Sequence, residues 1–147
     1  MRFILKLQTD RFGEIDINEE GIVIFENGLP GFEDLKQFVF IQENAEQPFA
    51  YMQSVEDGEV SFIIVNPFIF FPDYEFDITD ADQAELQVES EEDVHIWVVM
   101  SVIDTLENAT LNLLAPLIIN FKARLGKQII LHNSSYHPKH FLNLNGS

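Results

Sequence analysis

His132, His137 and His140 lie near the C-terminus as H-x4-H-x2-H. Neutral imidazoles so spaced can ligate zinc. The segment 122–147 contains no Asp or Glu to complete a local set, so the plainer reading is a polar tail beside a last strand. Asp73, Glu75, Asp77, Asp80, Asp82 and Glu85 form a second dense group. A calcium loop needs glycine at its sixth position for the sharp turn; counted from Asp80, that position is Glu85. Carboxylate pairs also serve glycoside hydrolysis, but with 25 acids close pairs arise by chance. The chain has no cysteine, hence no thiol nucleophile, disulfide or Cys-ligated metal. G-x-S-x-G, P-loop, G-x-G-x-x-G and H-E-x-x-H patterns are all missing. We expect no catalysis, no cofactor and no metal.

Aromatics are the third concentration. Phe68, Phe70, Phe71, Tyr74 and Phe76 fall close together. Rings on a sheet can stack on bases, but that use requires a positive groove. Here the neighbours are Asp73, Glu75 and Asp77, so direct nucleic-acid binding is not expected. On a regular strand only one of Phe70 and Phe71 points inward. Either the rings all fill the core, or one is exposed beside acids as part of a protein-binding patch. Phe71, Asp73, Tyr74, Glu75 and Asp77 are the partner-binding candidates.

The charge pattern points the same way. There are 8 basic and 25 acidic residues, a net charge of −17. Residues 37–121 hold 17 acids and no Lys or Arg, while residues 122–147 hold four basic residues and no acid. The central acids must face water or a partner. Their field repels nucleic acid and anionic membrane and attracts basic proteins; solubility alone is the bland alternative.

These groups need a scaffold, and a length of 147 residues suits one domain with a proper core, at 46% hydrophobic residues and 14 Phe. We expect one domain over 1–142 and a frayed tail over 143–147. The N-terminus reads as a strand rather than a signal peptide, and no apolar run reaches a membrane span, so a cytoplasmic location is expected. Short apolar or alternating runs cut by turn signals predict an all-β fold. Strands are expected at Phe3–Gln8, Gly21–Phe25, Gln37–Gln42, Ala50–Val55, Val60–Val65, Phe68–Phe71, Val94–Ile103, Leu111–Leu114, Leu117–Phe121 and Gln128–Leu131. Asp57-Gly58 reads as a hairpin turn, and Asn27-Gly28 and Pro30-Gly31 as further turns. Pro67 belongs at a strand start, edge or bulge. Thr79 can cap a short helix over about 80–86. With about ten strands and one or two short helices, the sheet should close into a small, mostly antiparallel β-barrel. Closure removes exposed edges, and with the high charge it points to a monomer.

Four segments in order resemble a known family. Asn27-Gly28-Leu29-Pro30-Gly31-Phe32 is similar to the N-G-[LI]-[PI]-G-F turn of the flagellar assembly factor family FliW. Asn66-Pro67-Phe68 with Tyr74-Glu75-Phe76 is similar to its N-P…Y-x-[FLI] segment. Residues Asn112 to Asn120 (NLLAPLIIN) resemble its N-[LM]-x-[AG]-P-[IL]-[VI]-[IV]-N segment, and Gly126-Lys127-Gln128 its G-x-Q element. Ser134–Ser147 matches no family element.

The resemblance implies a β-barrel regulator without catalysis that binds flagellin before export. It also implies binding of CsrA, the basic RNA-binding repressor of flagellin translation, so that exchange of partners couples export to synthesis. The alternative is an export chaperone for flagellin only. The motif residues Gly28, Gly31 and Gly126 are expected to serve turns, and Pro67 and Pro116 strand ends. Asn112 and Asn120 either satisfy local backbone groups or hydrogen-bond a partner.

Overall fold

The computed structural model describes residues 4–102, 104–132 and 134–142. The expected strand positions Phe3 and Ile103 and the expected frayed tail 143–147 lie outside the described residues. Among the described residues the fold is all-β, with eleven strands and two short α-helices.

The chain opens with a hairpin, β1 (Ile4–Thr9) and β2 (Gly13–Asn18), whose strands pair with each other in a separate two-stranded sheet. β2 is not among the expected strands, because Glu14, Asp16 and Asn18 dilute its apolar alternation. Its Ile15 and Ile17 nonetheless share a face, and with Leu7 and Ile22 they pack on Val39. The hairpin tip lies over another turn. Asp10 N–H donates to Gly58 O at 3.1 Å, and a Cβ on Gly58 would lie 1.9 Å from Gln8 O. Glycine at 58 thus serves the close approach of a second hairpin, and its own φ is not in the left-handed region.

Next come β3 (Val23–Ile24), β4 (Gln37–Ile41), β5 (Phe49–Ser54), β6 (Ser61–Val65) and β7 (His95–Ser101), an antiparallel meander. After β8 (Thr110–Leu111), β9 (Leu117–Asn120) pairs with the first half of β7, and β10 (Leu125–Gln128) pairs with β9. β10 also meets β3 through one parallel bridge, Leu125 to Ile24. The circuit β3-β4-β5-β6-β7-β9-β10 therefore closes as a seven-stranded barrel, antiparallel at every other joint. β8 extends the wall from the second half of β7, and β11 (His140–Phe141) extends it from β8.

The barrel interior is filled by Phe25, Phe38, Met52, Ile64, Leu117 and Ile119, with smaller neighbours. Two further cores lie against the wall. One joins Val65, Val98, Met100 and Leu111 to Tyr74 and the rings of Phe70, Phe71 and Phe76. The other joins Ile118 and Ile129 to Leu86.

The segment after β6 differs from the expected strand. Asn66 Oδ1 accepts from Phe68 N–H at 3.0 Å, and Pro67 opens a one-turn helix, α1 (Pro67–Phe70). Asn before Pro is an N-cap followed by the first helical position, where a missing N–H is harmless. Pro67 therefore starts a helix rather than a strand. Thr79 caps α2 (Asp80–Glu85), accepting from Asp82 N–H at 3.1 Å.

The motif residues divide by physical role. Gly28 and Gly31 have φ of +64° and +85°, as turn residues. Pro116 precedes β9. Gly126 is inside β10, not at a turn; a Cβ there would lie 2.5 Å from Phe25 Cζ.

Candidate functional site

Segment 66–78 carries the candidates. Because α1 is helical, the inward–outward alternation argued for Phe70 and Phe71 does not apply, and both rings are half-buried against the wall. Phe68 and Ile69 are exposed instead, at 38% and 56%. The missed signal was the Asn66-Pro67 cap, which turns the following residues off strand periodicity.

Beyond α1 a turn at Pro72 and Asp73, closed by Tyr74 N–H donating to Phe71 O at 3.0 Å, leads into a stretch with acids outward and apolar groups inward. Asp73, Glu75 and Asp77 are exposed, Tyr74 is buried, and Phe76 and Ile78 are half-buried. Tyr74, expected among the partner-contact residues, is instead 4% exposed. Its hydroxyl donates to Leu113 O at 2.7 Å, and its ring meets Tyr136 edge-on at 4.7 Å. Burial, then the neighbouring Tyr136, holds its hydroxyl proton well above the usual tyrosine range. Tyr136 returns a contact, its hydroxyl accepting from Glu75 N–H at 3.0 Å.

Phe71 meets the His140 ring edge-on at 5.8 Å. The C-terminal segment is thus part of the support for 71–77. His140 Nε2 accepts from His137 N–H at 2.7 Å, and the two rings stack. Burial, then His137, lowers the His140 pKa. His132 is exposed.

The carboxylates of Asp73, Glu75 and Asp77 are therefore presented on a backbone fixed from below by Tyr74, Phe76 and Tyr136. None of the three takes part in the ion pairs among the described residues. In the stretch 37–121 the paired acids are Asp82 and Glu85, both on Lys127, and Glu89 on Lys122. Among the described residues no other acid of that stretch is ion-paired. No helix of the described residues is long and apolar enough to cross a membrane.

The two motif asparagines are spent on local geometry. Asn112 Oδ1 accepts from Ala115 N–H at 3.2 Å. Asn120 is buried; its Nδ2 donates to Leu86 O at 2.9 Å and Gln87 O at 3.2 Å, and its Oδ1 accepts from Ala123 N–H at 3.2 Å. It fastens β9 to the end of α2.

Comparison with known proteins places these features. The model of the FliW protein family matches residues 6–142. The chain is 44% identical to the flagellar assembly factor FliW of Alkaliphilus metalliredigens, over 92% of this chain and 85% of that one. It is 46% identical to the FliW of Bacillus velezensis, over 92% and 95%, and 41% identical to that of Bacillus subtilis, over 91% and 94%. A crystal structure of the flagellar assembly factor FliW superposes with a TM-score of 0.88 at 44% identity, covering 93% of this chain and 96% of that one.

Proposed function

This chain belongs to the FliW family of flagellar assembly factors, and from that premise we propose that it is a non-catalytic, cytoplasmic, monomeric partner-switching regulator. It binds flagellin and, when flagellin is exported, binds CsrA and lifts its repression of flagellin translation. When flagellin accumulates it occupies this chain, and CsrA is free to repress.

The observation that carries this reading is the row Asp73, Glu75 and Asp77, exposed and in no ion pair among the described residues. A repressor that grips RNA phosphates is basic on its RNA face. A −17 protein with such a row attracts that face and presents a negative field to RNA. The apolar side chains of Phe68 and Ile69, exposed at the other end of the same segment, suit an amphipathic flagellin terminus.

The test is titration calorimetry with CsrA of the same organism at two salt concentrations, repeated with flagellin already bound. Binding that weakens with salt and disappears in the presence of flagellin is expected. The variant D73K/E75K/D77K, folded by circular dichroism, should weaken CsrA binding by about tenfold or more. Flagellin binding without CsrA binding at either salt would reduce the protein to an export chaperone. An unchanged CsrA affinity in the folded triple variant would remove 73–77 from the interface.

A further inference from the structure

The barrel wall has a gap beside β10. Ile129 N–H donates to Pro116 O at 3.0 Å and Leu131 N–H to Leu114 O at 2.9 Å, so the odd-numbered residues bond toward β9 and its approach. In an antiparallel ladder the alternate residues turn their backbone groups to the opposite side. Gly126, Gln128 and Ile130 therefore address β3. β3 meets β10 only through the bridge of Leu125 to Ile24, with Ile24 N–H donating to Arg124 O at 2.9 Å. The chain then turns away at Asn27-Gly28. Among the described residues no backbone partner meets the Gln128 or Ile130 N–H.

Two hollows, of about 280 and 330 Å³, lie along this edge and share Pro30 and Gln128. The first is lined by Glu26, Glu33 and Glu85, and Lys127, the one cation among its described lining residues, is already held by Asp82 at 2.6 Å and Glu85 at 2.5 Å. The second is lined by Phe32, Phe62, Leu114 and Ile130.

We propose that the cleft between β3 and β10 receives an extended peptide that adds as a strand along Gly126–Ile130, with a basic side chain in the acid-lined hollow and an apolar one in the other. Backbone pairing supplies affinity, and the two hollows supply specificity. The free edge calls for a strand, the carboxylates for Lys or Arg, and Phe32 and Phe62 for an aliphatic or aromatic group. A second copy of this chain is a poor occupant, since its net charge of −17 would meet the same acids. The site is separate from the 73–77 row and does not depend on which protein that row binds.

The test uses isotope-labelled full-length protein and nuclear magnetic resonance. The probe is a capped peptide of about six residues, long enough to span both hollows at roughly 3.3 Å per residue. It alternates valine and threonine, carries leucine at one end and lysine at the other, and is made in both sequence directions. In the free protein the Gln128 and Ile130 amides should exchange faster than those of Lys127 and Ile129. One peptide direction should shift the Gly126, Gln128 and Ile130 signals and slow exchange at Gln128 and Ile130 by about tenfold at saturation. Methylating alternate peptide amides should abolish this, and replacing the lysine by glutamate, or Glu26→Lys in the protein, should weaken it by about tenfold. The proposal is overturned if neither direction perturbs these amides at about 1 mM peptide, or if the methylated peptide binds equally well. Protection of Gln128 and Ile130 that rises with protein concentration would also overturn it, by placing a second copy at the edge.

Discussion

The Tyr74 hydroxyl donates to the Leu113 carbonyl at 2.7 Å, both partners being buried. This single bond ties the acid-bearing segment to the loop that leads into β9. With the packing of Phe76 and the bond from Glu75 N–H to the Tyr136 hydroxyl, it holds three carboxylates in a row on a stretch with no ladder pairing of its own.

Tyr74→Phe should lower unfolding stability by about 1–3 kcal/mol, because the Leu113 carbonyl is left buried without a donor. Tyr136→Phe should cost about 0.5 kcal/mol or less, since water can replace the hydroxyl at the exposed Glu75 N–H. Urea denaturation of both variants checks the contrast.

Gly126→Ala should destabilise by about 1–3 kcal/mol, because the new methyl enters the Phe25 ring. Combined with Phe25→Leu, the loss should be smaller than the sum of the two single losses by about 1 kcal/mol. Strict additivity in the double-mutant cycle would show that the ring does not set the requirement for glycine.

Gln87 follows α2 with φ of +55°. Gln87→Gly should raise stability by about 0.5–1 kcal/mol, the relief of left-handed strain exceeding the added chain entropy. Gln83→Gly, inside α2, should instead lower stability by about 1 kcal/mol. Thermal unfolding midpoints should move in opposite directions.

Burial and the neighbouring His137 hold the His140 pKa below its ordinary 6.5. The neutral ring is the form that accepts the His137 N–H. Its contribution is therefore fully present above pH 6.5 and is lost as the pH falls below it through the folded-state value. Hydrogen exchange at the His137 amide should accelerate on acidification relative to the Lys127 amide, and His140→Gln should flatten that dependence.

Lys127 lowers the Asp82 pKa through a hydrogen bond. The stability this gives is present above the ordinary value of 3.8 and is lost as the pH falls through the lower folded-state value. Lys127→Met should therefore lower the denaturation midpoint at neutral pH and reduce its decline below pH 4. Midpoints measured across that range check both effects.

The barrel was legible where apolar alternation met a turn signal. Gln37–Gln42, Ala50–Val55 and Val60–Val65 all read as strands because one face had to be buried, and β4, β5 and β6 lie within one residue of those bounds. β2 was not legible, since Glu14, Asp16 and Asn18 occupy its outer face and its inner face packs on the barrel's exterior. β11 escaped because two residues next to polar ones carry no period, and only the edge of β8 makes them a strand. At the candidate site, the acids were placed correctly on the surface. Tyr74 was not, because its burial depends on a carbonyl 39 positions away in the chain. Asn66 was the local clue that distinguishes α1 from a strand, and reading it as a cap would have exposed Phe68 and Ile69.

Both joints that close the barrel, β7 with β9 and β3 with β10, are made by residues 117–128. One of them links Ile24 to Leu125, about a hundred positions apart, the kind of contact that slows folding. During synthesis the meander from Val23 to Ser101 therefore waits with β3 and the first half of β7 unpaired at its outer edges and its Phe-lined interior open. The nascent chain is at its most aggregation-prone until that last stretch emerges, and truncations before residue 117 should accumulate as insoluble or chaperone-held material rather than as a smaller barrel.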